Sequence, residues 1–252
     1  MKANLDSNFV VLTTNRSGSE WMMSTLNNFQ DVSAHGELFL PKARNLDNKW
    51  DADFAYTRFI ETKFGRFIFR PFSVFSYLST LYSNPGKVGF KLMYKQLGLY
   101  PEILAYFIRY HIHVIHLVRR NHLDVMLSYA VKAKLGRAHL LVGQTAPDKM
   151  QVELDTRNLV RQFAWLQKQQ NIARKLLAWC KLPHLEVTYE DLVRDQAYYF
   201  RLIADFLSIN SKEQIPQSPL TRIRRGAHRD MISNYEQVKQ ILANSKFASL
   251  LE

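Results

Sequence analysis

Apolar and polar positions along the chain follow two rhythms. Phe9 to Thr13 is a short apolar, β-branched run that reads as a buried strand, and Lys87 to Met93, His113 to Val118 and Leu185 to Thr188 are further strand candidates. Helical spacings lie between them. Trp21, Met22, Leu26 and Phe29 recur at helix intervals across Glu20 to Phe29. A helix is predicted from Pro101 to about Tyr110, with the proline in the first turn, where an N–H is not needed. Asn121 is suited to cap another helix, reaching about Leu135. Asp155 to Cys180 reads as a long amphipathic helix, Glu190 to Leu207 as mostly helical, and Ser233 to Asn244 as the last helix. Strands alternating with helices predict an α/β fold: one domain over residues 1–252, with a mainly parallel sheet flanked by helices.

Three stretches break the rhythm. Gly136 to Lys149 reads as a loop, and Ser208 to Gly226 as irregular and basic. Residues 42–83 are aromatic-rich and read as a helical cap over a site. Phe64, Phe67, Phe69, Phe72, Phe75 and Tyr77 there suit either an acceptor pocket or simple packing of the cap on the sheet.

Composition narrows the class. The 252 residues are 47% hydrophobic and 22% charged, which fits a folded protein and excludes a long disordered chain. With one cysteine, Cys180, the chain has no internal disulfide framework, and a reducing compartment is the simpler expectation. Even the most apolar region, Ile103 to Val118, is interrupted by Arg109, His111, His113 and His116. No stretch approaches the ~18 apolar residues of a membrane span. The expectation is a soluble, cytoplasmic protein of undetermined oligomeric state.

The formal net charge is +12, which attracts anions. The basic residues form small groups, such as Arg119-Arg120 and Arg222 to Arg229, rather than long runs. Local groups suit a compact polyanion better than a nucleic-acid backbone.

Two strand-to-helix junctions carry candidate chemistry. In Thr13 to Trp21, a turn holding Arg16, Ser17, Gly18, Ser19 and Glu20 leads into a helix. Free amides at a helix start favour an anion, Gly18 permits close approach, and Arg16 supplies a cation for phosphate oxygens. The Walker spacing is absent, which argues against a nucleoside-triphosphate hydrolase. The second junction is Ile115 to Ser128. Arg120 at the strand end and Ser128 two turns into the helix can meet at one anion; the alternative is that Arg120 pairs with a carboxylate and Ser128 lies on the helix surface. The histidines have no zinc-type spacing, so no metal site is expected.

Together these junctions resemble the two cofactor signatures of the sulfotransferases that use 3′-phosphoadenosine 5′-phosphosulfate (PAPS). Arg16-Ser-Gly-Ser-Glu-Trp21 is similar to the first, which holds the 5′-phosphosulfate. Arg120-Asn-His-Leu-Asp-Val-Met-Leu-Ser128 is similar to the second, which holds the 3′-phosphate. Val187 to Leu192 resembles the family's strand-end segment whose tyrosine, here Tyr189, lies near the adenine. Arg224-Arg-Gly-Ala-His-Arg-Asp230 resembles its C-terminal loop, which implies a 3′-phosphate contact for Arg224, Arg225 and Gly226. The four segments span residues 9 to about 235. The sequence departs from the pattern at His122, where proline is usual, at Met231, where tryptophan is common, and at Glu20, where threonine is common. Glu20 either points away or pairs with a basic residue.

The resemblance implies a P-loop-like nucleotide core and in-line transfer of a sulfuryl group from PAPS, leaving adenosine 3′,5′-bisphosphate (PAP), with no metal required. The acceptor would be a hydroxyl, or less readily an amine, of a carbohydrate or natural-product-like small molecule. Such transfer needs a base for the acceptor proton and cations for the leaving oxygen. Met93 stands where many members carry a catalytic histidine. Ser33 to Phe39 is similar to the glutamate-bearing segment of the bacterial and carbohydrate-type branch. Glu37 is therefore the expected base, with His35 the second candidate. Arg16 and Lys91 are the expected cations, although a strand-end lysine facing solvent is an equal reading of Lys91. The alternatives are a P-loop-like phosphotransferase and a basic nucleic-acid-binding module.

Overall fold

The computed structural model describes residues 8–40, 52–63, 69–136, 140–141, 150–210, 220–221 and 227–251. A five-stranded parallel sheet organises them. Its strands are β1 (Phe9–Thr13), β2 (Val32–Glu37), β3 (Lys87–Met93), β4 (His113–Val118) and β6 (His184–Thr188), in the spatial order β2-β3-β1-β4-β6. A separate antiparallel pair joins β5 (Leu140–Leu141) to β7 (Leu220–Thr221). All five residues of β1 are buried, as an unbroken apolar run covered on both faces should be.

The helices are α1 (Ser19–Leu26), α2 (Tyr56–Lys63), α3 (Arg70–Leu81), α4 (Tyr94–Leu99), α5 (Pro101–Tyr110), α6 (His122–Leu135), α7 (Leu159–Trp179), α8 (Tyr189–Arg194), α9 (Gln196–Phe206), α10 (His228–Met231) and α11 (Tyr235–Ala243). The predicted helix over Glu190 to Leu207 divides into α8 and α9 because Asp195 leaves helical geometry and caps α9, its side chain accepting from Tyr198 N.

Alternation along each strand separates two apolar layers. Val10, Leu12, Phe90, Leu92 and Val114 face the layer built with α3, α5 and the far half of α7. Phe9, Val11, Ile115 and Leu117 face the layer built with α1 and α9. Leu123, Leu127, Phe163, Val238 and Leu242 form a third cluster joining α6, α7 and α11. Of residues 42–83, the described part is a short 3-10 turn (Ala52–Phe54) with α2 and α3, and Tyr56, Val74, Tyr77 and Leu78 pack it on the first layer. Phe69 and Phe72 are exposed, whereas Phe75 packs against the core; Phe64 and Phe67 lie outside the described residues.

β2 was not expected as a strand. Its sequence, Val32-Ser-Ala-His-Gly-Glu37, lacks a clear apolar rhythm, as suits a half-buried edge. It pairs with β3 through an irregularity: His35 aligns with Phe90, and Glu37, not Gly36, aligns with Lys91. That extra residue is a β-bulge.

Candidate active site

The carboxyl ends of the strands converge where β1 lies between β3 and β4, the place at which open parallel sheets form ligand crevices. After β1 the chain makes the Arg16–Gly18 turn. Arg16 takes a left-handed conformation, φ 64°, and Gly18, φ 88°, is the N-cap of α1. A Cβ on Gly18 would lie 2.3 Å from the Tyr189 ring, so glycine is required both by the backbone and by this approach. No side chain caps α1 among the described residues, which leaves its amino end to an anion.

The turn is tied down from several sides. The Thr13 hydroxyl lies 2.7 Å from both Ser17 Oγ and the Leu117 carbonyl. Arg119 Nη1 donates to the Arg16 carbonyl at 3.0 Å, and its guanidinium sits 4.5 Å from the centre of the Tyr189 ring. The other arm of Arg119 donates to Asp124 Oδ2 at 3.0 Å, and Asp124 Oδ1 lies 2.8 Å from His228 Nε2. Arg119, Asp124 and His228 are all buried. The Trp21 ring meets Tyr189 edge-on. The Arg16 side chain donates from Nε and Nη2 to Ser128 Oγ at 2.9 and 2.7 Å. Burial, with Arg119 adding, pushes the Arg16 guanidinium below its ordinary pKa, while Tyr129 opposes this.

A second group lies beside this turn. Lys91 is only 3% exposed, which excludes the solvent-facing reading. Its amine contacts Glu20 Oε1 and lies 3.5 Å from Glu37 Oε1. Burial lowers the Lys91 pKa to about 7, helped by Arg16 and Lys132. Gln96 Nε2 donates to the second oxygen of Glu37 at 3.2 Å, while Gln96 Oε1 accepts from Met93 N. Thr14, Asn15, Met93, Tyr94, Tyr129 and Trp165 help line a cleft of about 450 Å³ that opens beside the turn. Burial pushes the pKa of Tyr129, on the wall of this cleft, above its ordinary value; the Asn15 hydrogen bond and Arg16 oppose this, and Glu37 adds a little. The Tyr94 hydroxyl is 2.7 Å from Nε2 of buried His116, whose Nδ1 is 2.9 Å from Glu186 Oε2.

The expected site residues therefore divide. Arg16, Ser17, Gly18, Ser19, Trp21, Ser128 and Tyr189 share one neighbourhood, with Glu20, Lys91 and Glu37 beside it. His35 turns instead against Phe54, ring centres 4.4 Å apart. The Arg120 side chain is 56% exposed and donates to Asp191 Oδ1 at 3.1 Å, in keeping with the carboxylate alternative, while Ser128 is taken by Arg16. Glu190 accepts from the amides of Arg120 and Asn121, which fixes the strand end. Arg224, Arg225 and Gly226 lie outside the described residues.

Sequence reasoning missed Arg119 and Gln96. The adjacent arginines at a strand end were a signal that one side chain turns inward. Gln96 had no such signal. Among the described residues, no group of three or more His, Cys, Asp or Glu could hold a metal ion, and no helix is long and apolar enough to cross a membrane.

The chain is similar in structure to a mouse sulfotransferase, SULT7A1, complexed with PAP, with 13% identity, a TM-score of 0.47, and coverage of 98% of this chain and 91% of that one. It is also similar to a sulfotransferase from Alicyclobacillus acidocaldarius, with 14% identity, a TM-score of 0.43, and coverage of 97% and 94%. No curated protein matches it in sequence. Residues 6–244 match the sulfotransferase domain, and the chain belongs to that family.

Proposed function

We propose that this sulfotransferase uses PAPS as donor and moves its sulfuryl group to a hydroxyl of a carbohydrate or other small-molecule acceptor, with Glu37 as general base. The observation that carries the reading is the meeting of Glu37 and buried Lys91, 3.5 Å apart, beside the Arg16 turn. A base and a cation side by side are what in-line transfer needs at its two ends.

The residues present fit the nucleotide. The left-handed Gly18, the uncapped start of α1 and half-buried Arg16 offer amides and a cation to a phosphosulfate. The bound donor supplies the activated sulfuryl group. Arg16 and Lys91 would supply the cations for the oxygen on which negative charge grows. Glu37, its second oxygen held by Gln96, is aimed to accept the acceptor's proton. The cleft lined by Met93, Tyr94, Tyr129 and Trp165 admits the acceptor from the side.

The test has two parts. Calorimetric titration with PAP should show micromolar binding that Arg16→Ala weakens. Incubation with PAPS and acceptors of several classes should yield a product heavier by one SO₃, with turnover lost in Glu37→Gln while PAP binding persists. A wild-type protein that ignores PAP would defeat the donor assignment. Unchanged turnover in Glu37→Gln would move the base elsewhere.

A further inference from the structure

Two carboxylates share the Lys91 amine, and they are not equivalent. Glu37 is 20% exposed in its side chain and is held by Gln96 as well as by the lysine. Glu20 is 46% exposed, and among the described residues its one tie is to Lys91. The lysine, 4% exposed in its side chain and rooted in β3, cannot follow either of them outward. A buried ammonium requires a counter-anion, whereas a half-exposed glutamate leaves for water at little cost.

The position of Glu20 sharpens the point. It lies in the first turn of α1, where the helix dipole favours a negative group. The same amino end and the same lysine are what the anionic 5′ end of the donor would use. One lysine between two carboxylates carries a net charge of −1, which opposes an incoming anion. Departure of Glu20 as the nucleotide enters keeps the local charge in balance.

We propose that Glu20 is a displaceable occupant of the nucleotide site: its carboxylate holds the place beside Lys91 in the empty protein and is exchanged for the nucleotide's 5′ anion, so that this residue sets how tightly donor and product are held. The inference rests on the donor reading above. It also gives a physical role to the glutamate that stands where the family's phosphate-contacting threonine is common. Here the side chain acts as an internal competitor and not as a ligand for the phosphate.

The test is calorimetric titration of the full chain with PAP, using wild type, Glu20→Gln, Glu20→Thr and Glu20→Asp. Removing the charge with Gln or Thr should tighten binding about three- to tenfold. Asp, which keeps the charge at the helix start, should stay near the wild-type affinity. A gain in affinity is not what a damaged fold would give. In turnover assays the Gln variant should lower KM for PAPS. Unchanged or weaker PAP binding in both neutral variants overturns the role given to Glu20. If PAP binds to none of the four proteins, the donor reading fails, and this inference falls with it.

Discussion

Arg16 donates two hydrogen bonds, of 2.9 and 2.7 Å, to the hydroxyl of Ser128 across 112 residues of chain. The pair fastens the turn after β1 to α6 and sets a cation at the proposed anion site. Charged hydrogen bonds of this kind contribute about 1.5–3 kcal/mol. Arg16→Ala should therefore weaken PAP binding by about 10- to 100-fold, and Ser128→Ala by less, because the guanidinium survives and only its anchor is lost. Titration of both variants checks the order; a larger loss for Ser128→Ala would contradict it.

Gly18→Ala should harm both fold and binding. The new methyl would meet Tyr189 at 2.3 Å and hold alanine at φ 88°. Strain of this sort costs about 1–3 kcal/mol. The melting temperature should fall by several degrees. Adding Tyr189→Ala should recover part of the loss, since it relieves the contact but not the backbone. Melting curves of the single and double variants read this out.

Glu37→Gln should lower kcat by about 10²- to 10⁴-fold, the usual range for a lost general base. Gln96→Ala should cost less and act on kcat more than on KM, because Gln96 orients the carboxylate without touching substrate. A Gln96→Ala effect confined to KM would remove that role.

Lys91 gives two pH trends of opposite sign. Its amine titrates at about 7 in the fold and at 10.5 in the unfolded chain. Between those values the unfolded chain keeps a proton that the fold has released, so stability contributed by this group rises with pH. In the proposed mechanism Lys91 acts as the charged amine, so activity should fall as pH climbs through about 7. Lys91→Arg, which stays protonated, should move the loss of activity upward, and Lys91→Met should flatten the stability trend. Denaturant midpoints and pH–rate profiles separate the two effects.

Asp124 joins Arg119 and His228 inside the protein. Asp124→Asn leaves the Arg119 charge without its carboxylate, a change that costs about 3–5 kcal/mol when a buried pair is broken. His228→Gln, which removes no anion, should cost less. Chemical denaturation of the two variants tests the ranking.

Much of this architecture is legible in the amino-acid order. β1 shows as an apolar run because a strand covered on both faces tolerates little else, and β3, β4 and β6 show as short stretches rich in apolar and β-branched residues. Gly18 shows as a glycine between a strand and a helix. What stays hidden depends on tertiary partners. β2 has no strong rhythm, since an edge strand next to a site carries Ser, His, Gly and Glu for other reasons. Arg119 and Arg120 are chemically alike in sequence; only the fold turns one onto Tyr189 and the other toward Asp191. The Glu20–Lys91 contact joins residues 71 apart, a distance over which pattern gives no guidance.

The bulge in β2 has a consequence for the chemistry. Paired residues on adjacent strands point to the same side, and a shift of one residue sends a side chain to the opposite side. Were Gly36 paired with Lys91 in an unbroken register, Glu37 would align with Leu92, whose side chain belongs to the oily layer under α3 and α5. The acid would then be marooned among hydrocarbons, and the lysine would lose its neighbour. The bulge at Gly36 thus decides which side of the sheet the Glu37 carboxylate faces.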